Sequence, residues 1–165
     1  MSEPKEPLWI TFEQAIAIHS RQLRRFGGAP GLRDEGMLRS ALERPINKWR
    51  YEQAELEHDP EKWVSVFRKR SCSNKKVERD DDSKKSHLAL AELASAYAFG
   101  LAKNHAFVDG NKRIAFMAMM TFLLKNGVAF GPDPAQSTKI ILALAAGEVS
   151  EESLTRWIRD NWPSE

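Results

Sequence analysis

Apolar positions along this chain fall into two kinds of run, one with a single apolar face and one apolar nearly all round. After Thr11, residues Phe12, Ala15, Ile16, Ile18 and Leu23 recur at helical spacing, with His19 on the same side, until Gly27-Gly28 stops the pattern. That predicts an amphipathic first helix, opened by the capping-box pair Thr11 and Gln14. "APGLRDEG" then reads as a turn-rich connection, and "GMLRSALERP" as a short helix ended by Pro45, because a proline pushes the residue before it out of the helical region. Residues 46 to 53, "INKWRYEQ", show no helical period and alternate enough to predict a short extended flap or hairpin arm. From Leu88 to Lys103 the text becomes "LALAELASAYAFGLAK", apolar almost all round, which predicts a buried central helix. A second such helix follows in "KRIAFMAMMTFLLKNG", stopped at Asn126-Gly127. Asp133-Pro134 opens another that ends at Gly147, and Ser150 with Glu151 and Glu152 opens a last one. The pattern predicts an all-α domain with a small extended flap.

Between these runs, at about 53–86, the chain has no apolar stripe. "HDPEKW" can open a helical turn, but "RKRSCSNKKVERDDDSKK" has too little apolar surface to offset its ordering entropy, which predicts a solvated, mobile insertion. Charge is concentrated there. From Glu61 to Ser86 nine Lys or Arg stand against five Asp or Glu, a local +4 in a chain whose net charge is +2. A nucleic-acid binder more often spreads basic residues along a face of the folded core, so nucleic acid is not the expected partner, and Arg68 to Arg70 read as solvated surface.

With 165 residues, 42% apolar and 29% charged, the whole chain, 1–165, is expected to be one domain with an ordinary soluble balance. No run approaches the ~20 apolar residues that span a bilayer, and "MSEPKEPLWI" lacks the apolar stretch of a signal peptide. A cytoplasmic protein is expected, without a membrane partner. Cys72 is the sole cysteine, which rules out an internal disulfide and argues against a cysteine-based zinc site.

The two all-round apolar helices are joined by "KNHAFVDGNKR", where the chemistry is concentrated. A helix beginning near Asn111 aims its first unpaired N–H groups, and the positive end of its dipole, into that loop. Gly110 lets the backbone turn and approach a ligand, Asn111 adds an amide, and Lys112 and Arg113 bring positive charge to the same point. Phosphate is the natural occupant. Asp109 suits a Mg²⁺ ion bridging phosphate oxygens, and His105 is placed to take a proton from an incoming hydroxyl. Plainer readings stand beside these: His105 as a helix cap, Asp-Gly-Asn as a turn, His19 as a satisfied core histidine. Lys112 and Arg113 resist the plain reading, since cations are unfavourable at a helix start.

"HAFVDGNKR" resembles the H-x-F-x-[DE]-G-N-[GK]-R signature of Fic-fold proteins, and its lysine is similar to the Doc (death-on-curing) branch. The flanks "IAIHSRQLRRFGGAPGLRDEGMLRSALERP" and "ASAYAFGLAKNHAFVDGNKRIAFMAMMTFLLKNGV" resemble the corresponding Doc-like regions. The resemblance implies a Fic/Doc helical bundle with His105 as general base, Asp109 holding Mg²⁺, and Gly110, Asn111, Lys112 and Arg113 cradling the phosphates of ATP, with Phe107 as buried anchor. Adenylylating Fic enzymes have glycine at the position of Lys112 and a second arginine where this chain has Phe116. Both differences are shared with Doc-like kinases, which turn the γ-phosphate toward a threonine of elongation factor Tu. The implied function is thus a toxin that phosphorylates a Ser or Thr hydroxyl of a translation factor. AMP transfer by the same loop and a non-catalytic binding module are the alternatives. No segment matches the [ST]-x-x-x-E-[GN] pattern of self-inhibiting Fic proteins, so a separate antitoxin is the implied partner rather than self-inhibition.

Overall fold

The computed structural model describes residues 6–58 and 81–163. Most of the expected insertion, with Cys72 and the Arg68 to Arg70 run, lies outside them. Among the described residues there are six helices and no strand: α1 (Phe12–Phe26), α2 (Glu35–His58), α3 (Asp81–Asn104), α4 (Asn111–Lys125), α5 (Pro134–Ala146) and α6 (Glu151–Asp160). The expected all-α architecture is what forms.

Central helix α3 packs against α2, α4, α5 and α6, while α1 lies against α4. Its buried side chains include Leu93, Tyr97 and Leu101, which meet Ile114, Met119 and Phe122 of α4 in one core. Close approach is built in at Gly100, where any side chain would come within 3.3 Å of the backbone of Ala41 on α2. Over the end of α4 the N-terminal segment is fastened by Asn126 Oδ1, which accepts from Leu8 N at 2.8 Å, and by Lys125 Nζ, which donates to the Trp9 carbonyl at 2.6 Å. The Trp9 ring stacks on Phe122. Ile10 N donates to the Tyr97 hydroxyl at 3.1 Å.

α1 begins and ends as its sequence predicts, with both hydrogen bonds of the Thr11 and Gln14 capping box formed. α5 and α6 also start at their predicted caps, Asp133 and Ser150. Two expectations are corrected. Pro45 does not end α2, which runs for 24 residues in all and takes in the whole stretch expected to form the flap. Tertiary contacts outweigh the local cost of the proline: Pro45 is itself buried, and Arg44 and Lys48 on either side both bind Glu151 of α6, at 2.5 and 3.2 Å. The carbonyl of Ala41, which Pro45 leaves without its usual helical donor, sits against Gly100. Secondly, α3 starts at Asp81 rather than near Leu88. Extending a helix already anchored by packing is far easier than nucleating one, so a polar leading segment can join it.

Extended pairing appears elsewhere. Leu32 and Phe107 form a single antiparallel bridge, flanked by Arg33 N to Ala106 O at 2.8 Å and Val108 N to Gly31 O at 3.1 Å. The connection between α1 and α2 therefore braces the loop between α3 and α4.

Candidate active site

The chain leaves α3 at Asn104, whose side-chain amide donates to the Met37 carbonyl at 2.9 Å. His105 follows with φ +48°, the one non-glycine residue at positive φ among the described residues. This is the conformation of a residue that closes a helix C-terminus, so the plain reading of His105 as a cap describes its backbone. Its side chain is exposed and nothing among the described residues hydrogen-bonds the ring. A β-carbon there carries a strain that glycine would avoid, a pattern that concentrates at functional sites.

Ala106 and Phe107 are buried and hold the loop to the body. The Asn111 side chain clamps Phe107 from both ends: its Oδ1 accepts from Phe107 N at 3.0 Å and its Nδ2 donates to Phe107 O at 2.8 Å. The amide that sequence reasoning assigned to a ligand is thus engaged with the loop itself, and what Asn111 offers an anion is its backbone N–H. Beneath the loop, the ring of His19 stacks on Phe107 with centroids 3.8 Å apart, and its Nε2 lies 2.8 Å from the Asp109 carbonyl.

At the bottom of the loop Gly110 takes a left-handed φ of +79° and caps α4 without any side chain. Its carbonyl accepts the first helical bond, from Ile114 N at 2.9 Å. The N–H groups of Asn111, Lys112 and Arg113 thus open the helix with no capping side chain, at the positive end of its dipole. Asp109 stands beside them: Oδ1 accepts from Gly110 N at 2.5 Å, and Oδ2 lies 3.3 Å from Arg113 Nη2. Arg113 Nη1 donates to the Gly27 carbonyl at 2.8 Å, which ties this cluster to the end of α1. Lys112 is exposed at the helix start. The structure brings Asp109, Gly110, Asn111 and Arg113 together around the start of α4, with His105 at the other end of the same short loop.

The residues fit an anion with its cation rather than a resident metal. Among the described residues no three His, Cys, Asp or Glu side chains converge on a point that can hold a metal ion. One carboxylate beside a row of free N–H groups suits Mg²⁺ carried in on phosphate oxygens, since that ion keeps most of its ligands as water and phosphate. Gly28 lets the end of α1 pack closely against this cluster, since a β-carbon there would overlap Asp109 Oδ2 and lie 3.0 Å from Arg113 Nη2. A cleft of about 440 Å³ bordered by Arg44, Phe99, Lys103 and the turn from Gly147 to Glu152 contains none of the loop residues, and is not the site by chemistry.

Sequence reasoning missed three contributors. His19 read as a core histidine, and it is satisfied, but by the loop's own backbone. Gly28 read only as a helix stop, although the pair Gly27-Gly28 before another glycine at Gly31 hinted at close approach. Residues 31–34 read as a plain turn, with no periodic signal for a single bridge.

A family model described as the Fic/DOC family matches residues 9–123. The chain is 25% identical over 150 residues to the protein kinase doc of Escherichia phage P1, an alignment covering 91% of this chain and 92% of that protein. It is 52% identical over 44 residues to the toxin Doc of Mycolicibacterium smegmatis (strain ATCC 700084 / mc(2)155), covering 27% of this chain and 34% of that protein. The matched stretch carries α1, the loop and most of α4 together, and the chain belongs to the Fic/DOC family, on its Doc branch.

Proposed function

We propose that this chain is a Doc-like toxin that transfers the γ-phosphate of ATP to a Ser or Thr hydroxyl of a translation factor similar to elongation factor Tu. The observation that carries the reading is the uncapped start of α4, with Arg113 and Asp109 side by side at 3.3 Å and an unengaged His105 at the head of the loop. The N–H groups of Asn111, Lys112 and Arg113 would bind phosphate oxygens, and Arg113 would exchange Asp109 for phosphate. Asp109 would hold Mg²⁺, which when bound neutralises charge on the β- and γ-phosphates. His105 would take the proton of the attacking hydroxyl as its oxygen bonds to the γ-phosphorus and the bond to the bridging oxygen breaks, releasing ADP. Such a transfer needs mainly positioning and charge stabilisation, which this loop can supply.

Phe116 favours the γ-phosphate over AMP transfer. Its side chain packs against the core, so the position that carries a second phosphate-binding arginine in adenylylating relatives offers no charge here. The relative from phage P1 is named a protein kinase, in agreement. A separate antitoxin is the partner this reading implies.

Two labelled nucleotides test the proposal. Incubation with Mg²⁺ and a translation-factor preparation should transfer label from ATP marked on its γ-phosphate, not on its α-phosphate, and His105→Ala should abolish it. Transfer of the α-label would overturn the kinase reading.

A further inference from the structure

The peptide between Asp109 and Gly110 is the hinge of the candidate site, and its own residues hold only its N–H side, through the Asp109 carboxylate. Gly110 holds φ +79°, a left-handed value that glycine adopts without strain. Yet a glycine there also accepts the opposite orientation of the preceding peptide, because a flip moves φ by about half a turn to a value equally open to it. The described peptides are all trans, so the Asp109 carbonyl and the Gly110 N–H point in opposite directions from one rigid plane. With the carbonyl turned into the protein, the N–H faces the Asp109 carboxylate and meets Oδ1 at 2.5 Å. With the plane reversed, a carbonyl oxygen would face the start of α4, where its negative end would repel phosphate.

The carbonyl side of the peptide is held by His19. Its Nε2 lies 2.8 Å from the Asp109 carbonyl oxygen. Since that oxygen can only accept, the ring must carry its proton on Nε2. The residue is only 4% exposed, and stacking on Phe107 at 3.8 Å fixes the ring plane. A β-carbon at Gly110 would come within 3.3 Å of the same Nε2, so ring and peptide are in direct packing contact.

We infer that His19 is a positioning residue that locks the Asp109–Gly110 peptide with its N–H toward the site, and so fixes both the phosphate-binding turn and the Asp109 carboxylate. It touches no reacting atom. One of the readouts below rests on the proposed Mg²⁺–ATP site; the others do not.

The test compares His19→Leu, which keeps bulk and removes the donor, with His19→Gln, whose amide can donate again. Backbone amide NMR should show the Gly110 resonance of the Leu variant shifted or doubled and its hydrogen exchange accelerated about tenfold, with the Gln variant restored toward wild type. Calorimetric titration with Mg²⁺ and a non-hydrolysable ATP analogue should weaken about tenfold for Leu and recover for Gln. A folded Leu variant whose Gly110 amide matches wild type would overturn the inference. If wild type does not bind the analogue, the nucleotide reading fails, while the Gly110 amide still decides the role of His19. Should the Leu variant not fold, long-range nitrogen NMR of the wild-type ring decides: a protonated Nε2 supports the lock, and a bare Nε2 refutes it.

Discussion

Gly28→Ala is the substitution that most sharply separates the geometry of this site from general stability. Gly28 sits at φ +128°, a backbone region nearly closed to residues with a β-carbon, which costs on the order of 1–3 kcal/mol by itself. The new methyl would also overlap Asp109 Oδ2 and press on Arg113 Nη2 at 3.0 Å and Leu23 Cδ2 at 2.9 Å. The carboxylate must move, which disrupts its pairing with Arg113. With 48% and 30% of the two side chains exposed, that pair is worth only about 0.2–1 kcal/mol. The total loss is then roughly 1–4 kcal/mol, most of it backbone strain. A matched control exists at the far end of α4, where Gly127 has φ +84° and nothing near a β-carbon, so Gly127→Ala should cost about 1 kcal/mol. Urea unfolding measures both variants, and calorimetric titration with Mg²⁺ and a non-hydrolysable ATP analogue reads the site. Gly28→Ala should lose about tenfold or more in affinity, while Gly127→Ala should bind as wild type. Wild-type affinity in a folded Gly28→Ala protein would refute the placement of Asp109 and Arg113 at the ligand.

Other outcomes follow from the same contacts. Tyr97 is fully buried and its hydroxyl is pushed up to about 12 from 10.0 by burial. Because the folded state holds this proton more tightly, stability is intact below pH 10 and falls as pH rises toward 12, by roughly 2–3 kcal/mol in total. Tyr97→Phe should remove that alkaline slope in pH-dependent unfolding. His105→Gly should abolish transfer yet raise stability by about 0.5–1 kcal/mol in urea unfolding, because it relieves the residue at φ +48°. Glu151→Gln should lower stability by about 1–3 kcal/mol, since Arg44 and Lys48 both converge on a carboxylate only 13% exposed. The shift should weaken in high salt.

What was legible in the sequence was what periodicity and caps encode. Thr11, Asp133 and Ser150 act as N-caps where their side chains and the apolar pattern place them, and the all-round apolar runs became the core pair α3 and α4. The loop stood out as a candidate site because Asp, Gly, Asn, Lys and Arg between two such helices form an unusually polar stretch. Pro45 misled because the local rule carries no knowledge of Glu151, about a hundred positions away, whose ion pairs anchor α2 on both sides of the proline. The side-chain amide of Asn111 was read toward a ligand for a similar reason, since spacing does not show that it closes on Phe107. His19 was illegible as part of the site because its partner is a backbone carbonyl, and a carbonyl has no signature in a sequence.

The most direct test of the account is the intact mass of elongation factor Tu after incubation with this protein, Mg²⁺ and ATP, beside a His105→Ala control. A gain of about 80 Da that is absent from the control is the result predicted for phosphoryl transfer. A gain of about 329 Da, or an 80 Da gain that persists in His105→Ala, would contradict it.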